Sequence, residues 1–138
     1  MYTNAISYLK KRGIGGIDIL RYSIGYCSSN GYANRIIIPS YDADGKLNYF
    51  IARDMFPNSK LKYKNPPMSK DTVCFEMFIN WNEPIVLCEG VFDAISIRRN
   101  VIPLLGKFPS KTLVTSLVEK KVKQIYVALD EDARQDAI

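Results

Sequence analysis

The feature that most constrains the fold is an alternation in the C-terminal half of this 138-residue chain between short apolar runs and segments of helical spacing. The runs begin at Ile85, Val101 and Ile125, and their length and composition are those of buried strands. The intervening segments repeat their apolar residues at helical spacing, and Ser110 is placed to cap the second of them. An order β-α-β-α-β implies a parallel sheet with right-handed crossovers. The sequence therefore predicts an α/β region with a parallel sheet flanked by helices over residues 81–138.

The first 80 residues have a different character, with basic residues, turns and short elements. Two short helices are predicted before Tyr22. Apolar segments that begin at Arg35 and Leu47 flank the turn sequence 42–45, Asp-Ala-Asp-Gly, and predict a β-hairpin. A loop rich in Lys, Pro, Asn and Ser follows. We therefore expect a basic α+β N-terminal subdomain over residues 1–80.

The composition excludes several kinds of chemistry. The chain has no histidine and three widely spaced cysteines, none of them in a CxxC pair. Ser-His-Asp catalysis, Cys-His catalysis and histidine ligation of metals are therefore excluded, and no zinc finger is recognisable. The cysteines are expected to be reduced thiols that are buried or half-buried, and we expect no zinc. Any catalysis must use carboxylates, lysines or a metal held by oxygen ligands.

The charge and the hydropathy limit the partners. Nineteen Lys and Arg against 14 Asp and Glu give a net charge of +5, which is compatible with an anionic partner, although many basic soluble domains bind none. No apolar run approaches the length of a membrane span, and the N-terminus lacks a signal-peptide pattern. We therefore expect a cytoplasmic protein with no membrane partner.

Acidic side chains follow two of the predicted parallel strands directly. Glu89 follows the first strand, and Asp130-Glu131-Asp132 follows the third. The carboxyl ends of parallel strands meet at one edge of a sheet, where binding sites form. Asp93 lies one helical turn beyond Glu89. These carboxylates would form an oxygen-rich site suited to Mg²⁺ or Mn²⁺, so we predict Glu89, Asp130, Asp132 and Asp93 as metal ligands.

A plainer interpretation of the same acids stays open. Asp130 and Asp132 could be a helix N-cap and a first-turn acid that the helix dipole stabilises. Glu89 after a strand is weak evidence taken alone. The joint placement of these acids in one repeating pattern favours the metal site.

Three segments around these acids resemble the motifs of the Toprim family. Residues 85–94, Ile-Val-Leu-Cys-Glu-Gly-Val-Phe-Asp-Ala, resemble the first motif, a strand that ends in Glu-Gly with Asp following. Residues 127–133 resemble the second, the Asp-x-Asp motif, and Leu104-Leu105-Gly106 resembles the strand-end glycine. Gly90 and Gly106 are therefore expected to be structural glycines, with Gly90 allowing a sharp backbone turn beside the metal.

Toprim domains occur in topoisomerases, primases, nucleases and recombination proteins, and the N-terminal half resembles the bacterial-type DNA primases. Residues 8–14, Tyr-Leu-Lys-Lys-Arg-Gly-Ile, resemble their YLxxRGI opening, and residues 22–26 their F-x-x-G-Y/F continuation. Residues 35–53 resemble the primase hairpin. Residues 62–67 resemble the KYxNSP motif, although Pro66 stands where serine is usual. The expected fold is then an α+β subdomain joined to a C-terminally incomplete, Toprim-type parallel sheet.

The resemblance implies the catalytic core of a DNA primase, which makes RNA primers for DNA replication by template-directed, metal-dependent nucleotidyl transfer. It implies that Glu89, Asp130 and Asp132 are catalytic. The basic residues that it implies for binding template, nucleotide and primer are Arg35, Arg53, Lys62, Lys64 and Lys70. The implied partners are a single-stranded DNA template, nucleoside triphosphates and a replicative helicase of the primosome. Tyr63 could stack on a base or be an ordinary packed aromatic.

Two departures from the family qualify this expectation. The chain has no ligands for the zinc module that such primases carry, and it ends at Ile138, before the remaining helix and strand. We therefore expect a fragment or a reduced, phage-type version that is inactive alone, with an uncovered sheet edge at Ile125–Leu129. Two alternative functions stay open: a Toprim nuclease that hydrolyses phosphodiesters, and a non-catalytic single-stranded nucleic-acid-binding module.

Overall fold

Two compact units make up the chain in this computed structural model, which describes residues 2–129. The first unit comprises Met1–Ser40 and Tyr49–Met68, and the second comprises Tyr41–Asn48 and Ser69–Ile138. The sequence motifs predicted a division between residues 80 and 81. The units in the structure are defined by contacts and have other boundaries. They do not test a division based on motifs, which therefore stays a prediction.

The described residues begin with two helices and three strands, after which strands and helices alternate. The regular elements, in chain order, are α1 (Tyr2–Lys11), α2 (Gly16–Arg21), β1 (Gly25–Cys27), β2 (Arg35–Tyr41), β3 (Leu47–Asp54), β4 (Ile85–Cys88), α3 (Val91–Ile97), β5 (Val101–Pro103), α4 (Lys111–Glu119) and β6 (Ile125–Ala128). Short 3₁₀ helices span Asn30–Tyr32 and Glu76–Phe78.

An antiparallel sheet of order β1-β2-β3 contains the predicted hairpin. At its turn, Asp42 Oδ1 accepts hydrogen bonds from the amides of Asp44 and Lys46, each at 2.9 Å. Gly45 adopts φ of 81°, a conformation that glycine reaches without steric cost. Strand β1 was not predicted, because three residues are too few to show an alternating pattern.

The predicted parallel sheet is confirmed, with strand order β5-β4-β6 and parallel pairing on both sides of β4. Ile85 and Leu87 of β4 pack with Leu113 of α4 in a buried apolar cluster. The chain leaves β4 toward β5 and then crosses to β6 on the other side. This reversal makes the carboxyl ends of β4 and β6 a topological switch point, where open α/β sheets bind their ligands.

Strand β6 is apolar but exposed. Ile125, Tyr126 and Val127 are between 40% and 55% exposed. Among the described residues β6 pairs with β4 alone, so the open edge expected at this strand is present within residues 2–129.

Within residues 2–129, no helix combines the length and the apolar character needed to cross a membrane.

Helix α4 begins at the N-cap that the sequence predicted. Ser110 Oγ accepts a hydrogen bond from the Leu113 amide and donates one to the Thr72 carbonyl oxygen, both at 3.1 Å. The cap therefore anchors the segment before β4 as well as the helix.

We expect Ser110→Ala to lower the free energy of unfolding by about 1 kcal/mol, because the helix loses its cap acceptor. Urea denaturation monitored by circular dichroism measures the change. Thr115→Ala, an exposed change in the middle of the same helix, is the control and should cost nothing, since alanine favours helix more than threonine does. Equal stability of both variants would contradict a structural role for the cap.

Candidate functional site

Glu89 lies at the carboxyl end of the central strand, where backbone bonds fix it. The amide of Leu104 donates to the Cys88 carbonyl oxygen at 2.7 Å, and the amide of Leu105 donates to the Glu89 carbonyl oxygen at 3.0 Å. The pairing of β4 with the chain after β5 thus continues past the last strand residue. Glu89 is half-buried, so its position is set by the sheet and not by a mobile loop.

Asp93 lies in the first turn of α3, close to the glycine before the helix. A Cβ atom at Gly90 would stand 3.6 Å from Asp93 Oδ2, an ordinary contact distance. The chain bends at Gly90, but its φ of −117° and ψ of 162° are open to any residue, so a structural need for glycine at this position stays a prediction. Gly106 likewise has no left-handed φ, and no atom lies within 4 Å of its added Cβ.

The unusual backbone conformation at this edge belongs to Leu105. Its φ of 61° places a non-glycine residue in the left-handed region, which costs an L-residue about 1–2 kcal/mol. Such strain is retained where the surrounding structure over-determines it, and it clusters at functional sites. Here the hydrogen bond from the Leu105 amide to Glu89 holds the strained residue in place.

The second half of the predicted metal site, Asp130 and Asp132, lies outside the described residues. In the register of β4 and β6, Cys88 stands opposite Ala128, so these two strands end side by side. Within residues 2–129, no three His, Cys, Asp or Glu side chains are grouped so that they could hold a metal ion. This finding does not test the predicted ligand set, because two of its members, Asp130 and Asp132, lie outside that range. The site therefore stays a prediction.

The thiol next to Glu89 is buried. Burial, followed by the negative charges of Asp93, Cys74 and Glu89, raises the pKa of Cys88 to about 12. Without a metal the Cys88 thiol is therefore protonated at neutral pH. Cys74 and Cys88 are buried and Cys27 is half-buried, so the expectation of buried or half-buried thiols is confirmed for all three.

Arg35, predicted to contact nucleic acid, is used inside the first unit. It is only 7% exposed, and its guanidinium donates to the carbonyl oxygens of Ala52, Leu61 and Lys62 at 3.3, 2.8 and 3.2 Å. It also lies 3.9 Å from Asp54 Oδ2. These contacts hold the loop after β3 against the sheet, so the geometry gives Arg35 a structural role.

Asp54 is stabilised in its ionised form by the same arrangement. Burial acts to raise the pKa of Asp54, but the Phe56 amide, the Ser59 hydroxyl and the positive charges of Arg35 and Arg53 outweigh it and hold the pKa below its usual value. The carboxylate is therefore charged at neutral pH and keeps its attraction to Arg35.

Arg53 and Tyr63 form a second basic feature of the first unit. Arg53 Nε donates to Tyr8 Oη at 3.0 Å, and the guanidinium carbon lies 4.7 Å from the centre of the Tyr63 ring. Arg53 and Tyr63 also pair as an isolated antiparallel bridge. Tyr63 is 42% exposed, so its ring is held by a cation and still accessible to a ligand.

Lys62 and Lys64 flank Tyr63 and differ in their environment. Lys62 is exposed. Lys64 Nζ donates to the Gly31 carbonyl oxygen at 2.7 Å and lies 4.7 Å from the centre of the Tyr32 ring. A Cβ at Gly31 would come within 2.7 Å of this ammonium group, so the absence of a side chain at position 31 makes room for Lys64.

A pocket in the second unit brings Lys70 together with residues that the sequence reasoning missed. The pocket, of about 520 Å³, lies at the carboxyl end of β5 and is lined by Lys70, Asp71, Leu104, Leu105, Gly106, Lys107, Phe108, Ser110 and Lys111. The available signal was the position of Lys107 and Phe108 directly after the strand-end glycine, where parallel sheets bind ligands.

Two curated proteins are similar to this chain, and no family model matches it. The uncharacterized protein MG010 of Mycoplasma genitalium is 31% identical over 143 residues, which cover 95% of this chain and 63% of that protein. A protein of Legionella pneumophila named DNA primase is 27% identical over 176 residues, which cover 94% of this chain and 30% of that protein. The chain spans less than two thirds of either relative.

Solved structures share the whole architecture. The RNA polymerase domain of Mycobacterium tuberculosis primase DnaG matches with a TM-score of 0.79 at 15% identity, over 98% of this chain and 62% of that one. A DnaG primase catalytic domain bound to single-stranded DNA matches with a TM-score of 0.76 at 19% identity, over 99% and 59%. The chain has the fold of a bacterial-type primase catalytic core. The expected mixed fold with a parallel sheet is thereby confirmed.

The basic residues predicted in this primase-type core belong to both units. Arg35, Arg53, Lys62 and Lys64 belong to the first unit, and Lys70 belongs to the second together with Glu89 and Asp93. Of the four in the first unit, Lys62 is exposed, Arg53 and Lys64 are half-buried against tyrosine rings, and Arg35 is buried. Their contacts with nucleic acid stay predictions.

In this primase-type core we expect Arg35→Lys to lower the free energy of unfolding by at least about 2 kcal/mol. Lysine keeps the charge but cannot direct donors to three separate carbonyl oxygens, which would be left without partners. Urea denaturation measures the loss. Arg21→Lys on exposed α2 is the matched control and should change stability by less than about 0.5 kcal/mol. If Arg35→Lys unfolds like the control, the guanidinium contacts are dispensable.

Proposed function

We propose that the chain is the catalytic core of a DNA primase that joins ribonucleotides on a single-stranded DNA template. One observation carries the proposal: in a primase-type fold, Glu89 ends the central strand β4, and the acids Asp130 and Asp132 follow the neighbouring strand β6 in the chain. Proteins with this fold include a primase catalytic domain solved with single-stranded DNA.

The residues at this sheet edge fit a magnesium or manganese ion. Glu89 and Asp93 lie in the described part of the edge, and Asp130 with Asp132 would complete an all-oxygen set, the donors that hard divalent cations prefer. Such an ion would supply positive charge that stabilises the displacement at phosphorus. The chain's own contribution is to hold Glu89 at the end of the sheet through the backbone hydrogen bonds of Leu104 and Leu105.

The first unit would bind the template through its basic surface, formed by Arg53, Lys62, Tyr63 and Lys64. Lysine and arginine side chains attract phosphate groups in a way that does not depend on sequence. The exposed Tyr63 ring could stack on a base. Arg35 would act indirectly, by holding the carbonyl oxygens of Leu61 and Lys62 and so positioning this segment.

The remaining partners are also part of the proposal. Lys70 would act on the nucleotide from the second unit, and the core would work with a replicative helicase in the cytoplasm. A phage origin is consistent with the sequence pattern at residues 130–137. Because the chain spans about three fifths of the matched primase chains, we expect it to need further polypeptide to make primers.

We expect calorimetric titration with Mn²⁺ to show binding heat that is lost in Glu89→Gln and in the double variant Asp130→Asn/Asp132→Asn. Each substitution removes carboxylate charge from the proposed ligand set while keeping the side chain's size. Asp44→Asn, which removes an exposed carboxylate at the hairpin turn, is the control and should keep the full heat. Retention of the heat by both Glu89→Gln and the double variant would refute the metal site.

An activity assay separates the primase from the alternative functions. The chain is incubated with single-stranded DNA, ribonucleotides and Mg²⁺, and its mass in solution is measured. We expect no primer from the chain alone and no loss of template. Metal-dependent degradation of the DNA would support a Toprim nuclease instead, and DNA binding without metal binding would support a non-catalytic module. Robust synthesis by a monomer would show that the minimal catalytic unit is smaller than we propose.

We expect single-stranded DNA binding to weaken as salt rises, because phosphate contacts release counterions. Arg53→Ala and Lys62→Ala should each reduce the slope of log affinity against log salt by about one unit. Fluorescence anisotropy of a labelled oligonucleotide, measured at salt concentrations from about 50 to about 300 mM, gives these slopes. Lys46→Ala at the hairpin turn is the matched control. Binding that ignores salt, or slopes equal to the control, would show that these residues are ordinary surface.

A further inference from the structure

Arg53, which the proposed function places at the template, has a backbone that is held near the end of strand β3. Arg53 and Tyr63 face each other in an isolated antiparallel bridge. Two backbone hydrogen bonds flank this bridge, from the Asp54 amide to the Lys62 carbonyl oxygen at 2.9 Å and from the Lys64 amide to the Ala52 carbonyl oxygen at 3.0 Å. In such a pair the opposite side chains lie closest together, which explains why the Arg53 guanidinium lies over the Tyr63 ring.

The end of the Arg53 side chain is fixed by a residue of helix α1. Arg53 Nε donates to Tyr8 Oη at 3.0 Å, between residues 45 positions apart in the chain. Because Nε lies on the stem side of the planar guanidinium, this bond sets the direction in which the two outer nitrogens point. Those outer nitrogens are the fork with which an arginine contacts a phosphate through two parallel hydrogen bonds.

Tyr8 is itself held in place, so it can transmit its position to Arg53. Helix α1 is anchored by Ala5 and Leu9, which are 4% and 3% exposed. The Tyr8 ring is half-buried, and the guanidinium carbon of Arg12 lies 5.4 Å from its centre. An arginine that is held before its ligand arrives loses less conformational entropy when it binds.

The acid next to Arg53 in the chain, Asp54, has partners other than Arg53. Asp54 Oδ1 accepts a hydrogen bond from the Phe56 amide at 3.0 Å, and Oδ2 lies 3.9 Å from Arg35 Nη2. The attraction between Asp54 and Arg53 is therefore not the sole compensation of the Asp54 charge. A role for the Arg53 fork beyond that of a counter-ion is consistent with this arrangement.

We propose that Tyr8 is a positioning residue for template binding, whose hydroxyl sets the orientation in which Arg53 contacts a phosphate of single-stranded DNA. This role rests on the proposed function, because it requires that Arg53 contacts the template. It adds helix α1 to the part of the first unit that shapes the template surface. Tyr8 acts through the guanidinium and carries no charge of its own, which makes the role separable from an ordinary phosphate contact.

The first test is Tyr8→Phe, which removes the hydroxyl and keeps the ring, in oligonucleotide anisotropy. Affinity at low salt should fall about fivefold, because an unheld arginine loses more freedom on binding. The slope of log affinity against log salt should fall toward that of Arg53→Ala, although no charge has been removed. Tyr26→Phe is the matched control, since it removes a hydroxyl of the same unit that donates to Asn34 Oδ1 at 3.1 Å, and it should change neither quantity.

Two further measurements separate positioning from a general effect on the fold. The double variant Tyr8→Phe/Arg53→Ala should bind as Arg53→Ala does, because the hydroxyl acts only through the guanidinium. In the free chain, the Nε proton of Arg53 should exchange with water faster in Tyr8→Phe than in wild type. Its nuclear magnetic resonance signal is identified by its loss in Arg53→Lys.

Arg53→Lys also guards against instability of Tyr8→Phe, which urea denaturation would reveal. It keeps the charge without the Nε donor and should bind about as weakly as Tyr8→Phe. Wild-type affinity in Arg53→Lys, or equal affinity and salt slope in Tyr8→Phe and Tyr26→Phe, overturns the positioning role while Arg53→Ala still weakens binding. A loss in Tyr8→Phe that persists in the Arg53→Ala background overturns it as well. A wild-type chain that binds no single-stranded DNA refutes the template-binding role and the positioning role together.

Discussion

The pairing of β4 with a parallel strand on each side is the constraint on which the candidate site depends. A central strand with two partners has its backbone fixed along both edges, and its apolar side chains Ile85 and Leu87 are buried. The residue that follows such a strand inherits this rigidity. Glu89 is therefore held in place by the sheet, and strand β6 ends beside β4. Rigid carboxylates lose little entropy on binding a cation, which is why such sites are built on strand ends.

In the first unit the corresponding element is the buried guanidinium of Arg35. A charge removed from water must be compensated by hydrogen bonds or by an opposite charge. Three carbonyl oxygens and the Asp54 carboxylate provide this compensation. The same contacts fix the backbone of Leu61 and Lys62, so the segment that carries Lys62, Tyr63 and Lys64 is positioned by an arginine that is itself hidden. A basic residue in a motif can thus shape a binding surface without touching the ligand.

Much of the fold was predictable, since it depends on local patterns. The hairpin followed from the turn sequence at 42–45, the parallel sheet from three short apolar runs, and the cap of α4 from Ser110. Strand β1 was missed because it is three residues long and owes its existence to pairing with β2. The backbone strain at this edge was not predicted, because it falls on Leu105, whose conformation follows from its bond to Glu89 and not from its residue type.

The sequence by itself determined the chemistry available to this protein: without histidine, and with acids following two strands, only oxygen-ligand and lysine chemistry is possible. It also determined the order of the strands along the chain, because hydrophobic periodicity is a local property. Tertiary structure decided which basic side chains are buried, which contact an aromatic ring and which lie together at the surface. It buried Arg35, set Lys64 against Tyr32, and gathered Lys70, Lys107 and Lys111 around one pocket. Burial and proximity depend on residues far apart in the chain, so no local pattern contains them.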